Sequence, residues 1–215
     1  MFGVNDGLVS NVSLLLGFAA SGVDSSVVRL AGIAGAVAGS VSMAAGEWVS
    51  VSAQNDLIDR ELEVERRELK HNPEFETAEL AAMYESHGME PGRAARAAAE
   101  VMREPATALA VHAREELGID PGDLPSPIGA SLSSLVCFMF GAVLPLIPWF
   151  LSSDETATWS SIIIGVLAAA VVGAIVGRFA ERPLWRTAVR QVAIVLAACA
   201  ITYAIGELVG VNVSS

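Results

Sequence analysis

Two sets of residues in this 215-residue chain have the types and spacing to hold a divalent cation. The first lies in an acidic stretch. Glu61, Glu65 and Glu68 fall at i, i+4 and i+7, one face of a helix; Glu76 and Glu79 fall at i and i+3; His112, Glu115 and Glu116 fall at i, i+3 and i+4. Like charges at these spacings repel by a few tenths of a kcal/mol in an isolated helix, and a cation held between them reverses the sign of that cost. Carboxylate oxygens with an imidazole suit ferrous iron, manganese or zinc. Periodicity alone also accommodates a solvated acidic face neutralised by Arg66, Arg67 and Lys70. The second set sits in apolar sequence, where an ionisable residue points to function. Asp6 opens one apolar run, and Glu47 lies inside another, four residues after Met43 and so on the same helical face. A thioether beside a carboxylate offers one soft and one hard ligand to a borderline ion. Glu207, near the end of the last run, reads as interfacial.

The elements that must position these residues belong to two solvents. Hydrophobic residues make up 53% of the chain and charged residues 17%, a charged share below that of ordinary soluble domains. The net charge of −11 is concentrated: 17 of the 24 acidic residues, and all three histidines, lie between Gln54 and Asp123. A spanning helix needs about 20 apolar residues. Five runs qualify, at about 6–22, 28–52, 128–151, 159–179 and 188–209, and lipid requires each to be helical because no backbone group can be left unpaired there. The first run has no basic flank, so no cleavable leader is expected. Pro145 and Pro148 should kink or end the third span. The pairs Gly35/Gly39 and Gly173/Gly177 have the small-xxx-small spacing that lets helices approach closely, although glycine is also simply common in membrane helices. Cys137 and Cys199 sit in apolar runs and read as small buried hydrophobes.

Arg178, Arg182, Arg186 and Arg190 cluster between the fourth and fifth spans, whereas the SSDETAT link between the third and fourth carries no basic residue. Basic residues in short loops stay on the cytoplasmic side, so the acidic stretch is expected to be cytoplasmic. It reads as three helices. One continues the second span to Lys70, where His71-Asn72-Pro73 breaks it; one runs from Glu74 to Ser86 and stops at His87-Gly88; an Ala-rich one opens at Pro91 and carries on to Leu117, with Pro105 within it or at a break. The expectation is an all-α polytopic membrane protein: transmembrane helices 1–2 in residues 1–53, an acidic helical domain in 54–123, and transmembrane helices 3–5 in 124–215.

NDGLVSNVSLLLGFA in the first span, GAVAGSVSMAAGEWVSVSAQ in the second and HAREELGI at the end of the acidic stretch resemble the vacuolar iron transporter family, and the likeness covers essentially the whole chain. The resemblance implies five spans, a homodimer, and exchange of cytosolic ferrous iron for protons along a path between protomers built from the first two spans. Carried onto this sequence by motif, Asp6 is a path carboxylate, and Glu47, with Met43 beside it, a path ligand and proton carrier. The resemblance further implies that two Glu-x-x-Glu pairs, matched here by Glu65 with Glu68 and Glu76 with Glu79, collect metal with the stretch from His112 to Glu116. His112 stands where the family usually has methionine, a departure that bears on metal preference.

The function expected is export of cytosolic ferrous iron, with manganese and zinc as further cargoes, in exchange for protons. The expected partners are the metal ion, protons, the bilayer and a second copy, with no nucleic acid and no resident cofactor. The membrane is the plasma membrane in a prokaryote and a vacuolar-type membrane in a eukaryote. A membrane-anchored metal-binding or scaffold protein without transport is the alternative. An enzyme of the ferritin-like di-iron kind would need Glu-x-x-His pairs on two helices, and the sequence contains a single one, Glu68 with His71.

Overall fold

The computed structural model describes residues 2–152 and 154–213, and every described element is helical. Nine α-helices follow one another: α1 (Phe2–Ala20), α2 (Ser25–His71), α3 (Pro73–Ser86), α4 (Pro91–Val101), α5 (Pro105–Glu116), α6 (Pro127–Val143), α7 (Pro148–Leu151), α8 (Asp154–Phe179) and α9 (Leu184–Val213), with a 3₁₀ turn at Leu144–Leu146 before α7. They form two compact units. One comprises the chain up to Trp48 and from Ile128 onward; the other is Val49–Pro127. The 47-residue α2 contributes its first half to one unit and its second half to the other.

Four stretches in the described residues are long and apolar enough to cross a membrane: within Ser25–His71, and at Pro127–Leu146, Glu155–Phe179 and Leu184–Gly210. The 19-residue α1, expected as a fifth span, is not one of them. Asn5, Asp6, Ser10, Asn11 and Ser13 dilute its hydropathy. Its packing explains how it carries them. Leu8, Val12 and Leu16 are buried against Ala169 of α8 and Val195 and Cys199 of α9, while Leu15 packs with Val28, Leu146, Trp149 and Ala157. One face of α1 is thus buried in protein, where Asn5 and Ser13 find partners, while Asp6 and Ser10 stay exposed. Gln191 of α9 donates from Nε2 to Asn5 Oδ1, and Ser13 Oγ meets Cys199 Sγ at 3.9 Å.

Close approach is paid for in glycine where α1 crosses α6. A Cβ at Gly7 would strike the carbonyl of Phe138, and one at Gly141 the carbonyl of Val4. Of the two small-residue pairs read from the sequence, Gly173 and Gly177 meet the start of α9, at Thr187 and Ala188 and at Thr187 and Leu184, whereas Gly35 and Gly39 meet side chains. The proline break also appears. Pro148 supplies no N–H, the helix ladder lapses at 144–147, and Ser161 Oγ of α8 donates to the Pro145 carbonyl while accepting from Trp149 Nε1 at 3.1 Å.

In the Val49–Pro127 unit the expected Ala-rich helix is two. Met102–Glu104 interrupts it, and Pro105 takes the first position of α5, as Pro73 and Pro91 do for α3 and α4, where a missing N–H costs nothing. Four helical stretches therefore build the unit, the last turns of α2 and α3–α5. Leu80, Ala94, Ala98 and Ala113 are wholly buried between them, and these short side chains hold the axes close. Gly88 and Gly118 adopt φ of 91° and 66° just beyond α3 and α5, the left-handed region that ends helices.

The crossing of α1 and α6 sets a prediction. Gly7→Leu should lower the stability of the detergent-solubilised protein by about 2–3 kcal/mol or more, the cost of overpacking against backbone. Gly46→Leu, where a Cβ would meet nothing within 4 Å, should leave the melting temperature nearly unchanged. Equal melting temperatures for the two variants would contradict the packing described.

Candidate metal centre

Glu65 lies on α2, Glu76 on α3, and His112 and Glu116 on α5. The break at Asn72 reverses the chain and brings Glu76, near the start of α3, back to the level of Glu65. The interruption before Pro105 starts α5 afresh, so that one face presents His112 and, a turn later, Glu116. Nδ1 of His112 lies 3.1 Å from Glu65 Oε1, 3.1 Å from Glu116 Oε1 and 3.7 Å from Glu76 Oε2. The four ligand atoms all lie within 4.8 Å of one another. His112 is completely buried, Glu65 and Glu76 nearly so, and Glu116 sits at the exposed rim. A tetrahedral site with bonds of about 2.1 Å has ligand–ligand edges of about 3.4 Å, so a modest inward movement of the carboxylates closes these atoms on one ion.

Electrostatics favour occupancy. Burial, and then the charge of Glu116, push the Glu65 carboxyl from 4.5 up to about 7, with Glu76 and Glu68 adding to the rise and His112 opposing it. Glu76 is also raised, by burial first and then by Glu79. Oε1 of Glu65 and Nε2 of His112 are buried without a hydrogen-bond partner. Buried polar atoms left unpaired cost free energy. A divalent cation neutralises the repelling carboxylates and gives Glu65 Oε1 a partner. Three oxygens and one nitrogen are donors acceptable to ferrous iron, manganese or zinc.

Of the seven residues expected to bind metal, four converge. Glu68 and Glu79 stand outside the ligand group but close enough for their charge to raise the carboxyls within it. Glu115 faces elsewhere, with Oε2 3.6 Å from His87 Nδ1, and its charge adds to burial in raising the Tyr84 hydroxyl. Consecutive residues on a helix point about 100° apart, which is why Glu116 reaches the centre and Glu115 does not.

In the other unit Asp6 and Met43 line one cavity of about 400 Å³, together with Ser10, Asn11, Ser42 and Phe138. Glu47, one turn beyond Met43 on α2, is half-buried and does not line it. Sequence reasoning missed Ser10, Asn11 and Ser42. Asn11 had a signal: it is a carboxamide in the middle of an apolar run.

Apolar helices of membrane-spanning length, in one chain with a helical unit that gathers three carboxylates around one imidazole, define a multi-pass membrane protein that handles metal ions. Residues 1–207 match the VIT family, and the chain belongs to it. It is 29% identical over 210 residues to vacuolar iron transporter 1 of Oryza sativa subsp. japonica, covering 97% of this chain and 83% of that protein. It is 39% identical over 147 residues to the vacuolar iron transporter of Acanthamoeba castellanii, covering 68% of this chain and 52% of that protein. With vacuolar iron transporter 1 of Arabidopsis thaliana it shares 28% identity over 97% of its length.

The raised carboxyl of Glu65 predicts a pH dependence of two signs. Its contribution to folding of the metal-free protein is fully present when the group is protonated, below 4.5, and is lost as pH rises through about 7. Metal takes the ionised form, so affinity should fall as pH drops through about 7. Glu65→Gln should therefore stabilise the metal-free protein at pH 8 by on the order of 1–3 kcal/mol, weaken metal binding, and flatten the pH dependence of affinity. Thermal unfolding and titration with Mn²⁺ between pH 6 and 8 measure both. A variant less stable than wild type at pH 8 would refute the electrostatic account.

Proposed function

We propose that this protein moves ferrous iron out of the cytosol across a membrane in exchange for protons. The observation that carries the reading is the convergence of Glu65, Glu76, Glu116 and His112 on one cation-sized volume in a chain with four apolar helices of spanning length. Relatives named vacuolar iron transporter support iron as the cargo and a transporter, not an enzyme, as the class. His112 broadens the donor set toward manganese and zinc.

In this reading the Val49–Pro127 unit is cytoplasmic and captures metal, and the full ligand set is Glu65, Glu76, His112 and Glu116 with Glu68 and Glu79 as flanking charge. Helix α1 is the fifth span, lined with polar side chains because it faces protein and the ion and not lipid. Asp6, Met43 and Glu47 form the path. Ile33, Val37 and Val41 make an exposed apolar stripe along α2, which suits a homodimer that places α1 and α2 of two copies around that path. Proton exchange follows from competition: carboxylates that release metal when protonated let an inward proton flow drive metal outward. The membrane is vacuolar-type in a eukaryote and the plasma membrane in a prokaryote.

Proteoliposomes provide the test. Liposomes with an acidic interior should accumulate Fe²⁺ faster than liposomes with matched pH, and Mn²⁺ and Zn²⁺ should compete. Glu47→Ala should abolish flux, whereas Glu65→Ala should raise the apparent KM with little change in maximal rate. Metal binding without any uptake would favour the membrane-anchored binding protein instead.

A further inference from the structure

The cavity between α1 and α2 contains an oxygen that neither Asp6 nor Met43 accounts for. Asn11 is 2% exposed. Its Nδ2 donates to the backbone carbonyl of Ala142 on α6 at 2.6 Å. That hydrogen bond fixes the carboxamide's orientation, because Oδ1 in the same place would face another oxygen. Oδ1 is then turned away from α6, and it has no hydrogen-bond partner. It lies beside Gly35, a fellow lining residue of the cavity, where a Cβ would crowd it at 3.2 Å and strike Leu14 Cδ2 at 2.5 Å.

A buried carbonyl oxygen without a donor costs free energy in any protein, and more where no water replaces the donor. What could pair with it is decided by the lining. Asp6 brings a carboxylate, Ser10 and Ser42 hydroxyls, Met43 a thioether, and no basic side chain is among the lining residues. The sign of this environment is negative or neutral throughout, which selects a cation. We propose that Asn11 Oδ1 is a ligand for the partly dehydrated divalent cation in this cavity, a fixed neutral oxygen that complements the charge of Asp6 and the soft sulfur of Met43. This assignment rests on the transport reading given above. A neutral oxygen suits passage: it replaces part of the hydration shell without adding a second full charge that would hold the ion. It also sets preference. Removing an oxygen while leaving the thioether should penalise oxygen-seeking ions more than thiophilic ones.

The experiment compares uptake of Fe²⁺, Mn²⁺ and Cd²⁺ by proteoliposomes carrying wild type, Asn11→Leu or Asn11→Asp, each shown to be monodisperse in detergent. Asn11→Leu should cut Fe²⁺ and Mn²⁺ uptake by about tenfold or more, the usual scale for losing a group that serves a metal site, and Cd²⁺ uptake distinctly less. Asn11→Asp, which keeps an oxygen and adds charge, should retain the wild-type metal ranking with a lower KM and a lower maximal rate. Loss of a merely structural hydrogen bond to Ala142 would lower all three metals in proportion. A proportional loss in Asn11→Leu, or uptake identical to wild type, overturns the assignment while leaving the transport reading intact. If Asn11→Leu does not fold, Asn11→Asp decides: an unchanged KM for Fe²⁺ overturns it. No uptake of any metal by wild type overturns the transport reading and this assignment with it.

Discussion

Two carboxylates buried beside one another repel, and the protein brings that repulsion to a single point. Glu65 and Glu76 come from different helices, both are nearly excluded from water, and Glu116 adds a third charge at the rim. The result is a carboxyl displaced to about 7, a pH at which protons and divalent metal compete on comparable terms. The rest of the Val49–Pro127 unit serves this arrangement. Prolines restart α3, α4 and α5, alanines let the helices close, and the imidazole of His112 stands at the centre where it partly offsets the negative charge.

The membrane unit solves a related problem with different means. Polar side chains are costly in hydrocarbon, and α1 carries five of them within its first twelve residues. One face of the helix packs against α6, α8 and α9, whereas Asp6 and Ser10 lie on its exposed side. Glycines at the α1–α6 crossing bring backbones together, Gln191 meets Asn5, and Asn11 reaches the Ala142 carbonyl. The polar atoms that remain collect on one cavity. Hydropathy is therefore diluted in the helix that supplies the most polar side chains to that cavity.

Donor chemistry differs between the sites. The Val49–Pro127 unit offers oxygens and one imidazole nitrogen with a large negative charge, a donor set suited to a divalent ion. The cavity offers one carboxylate, a thioether, hydroxyls and a carboxamide, with far less charge. Fewer charges bind a cation more weakly and release it faster, as the transport proposed above requires. This member of the VIT family thus holds one strongly charged donor group and one sparsely charged cavity.

Much of this was legible in the sequence, for reasons that can be named. Apolar runs of spanning length, the acidic stretch between Gln54 and Asp123, and the breaks at Pro73 and Pro145 follow from local chemistry, because solvent and backbone act on each segment alone. Helical periodicity put Glu65 with Glu61 and Glu68, His112 with Glu115 and Glu116, and Met43 with Glu47; of the last pair only Met43 lines the cavity, with Asp6. Periodicity could not choose among neighbours. Glu116 joins the centre and Glu115 turns to His87 because the rotation of α5 is set by Ala108 and Ala113 packing inward. The split of the Ala-rich stretch at Met102–Glu104, the burial of one face of α1, and the unpaired oxygen of Asn11 likewise depend on contacts between residues far apart in the chain. The amino-acid sequence by itself determined which segments seek lipid, which seek water and where helices must stop. Only the tertiary structure decided which carboxylates converge on one imidazole and which polar atoms are left without a hydrogen-bond partner, because burial and repulsion are properties of a site assembled from several helices and not of any one of them.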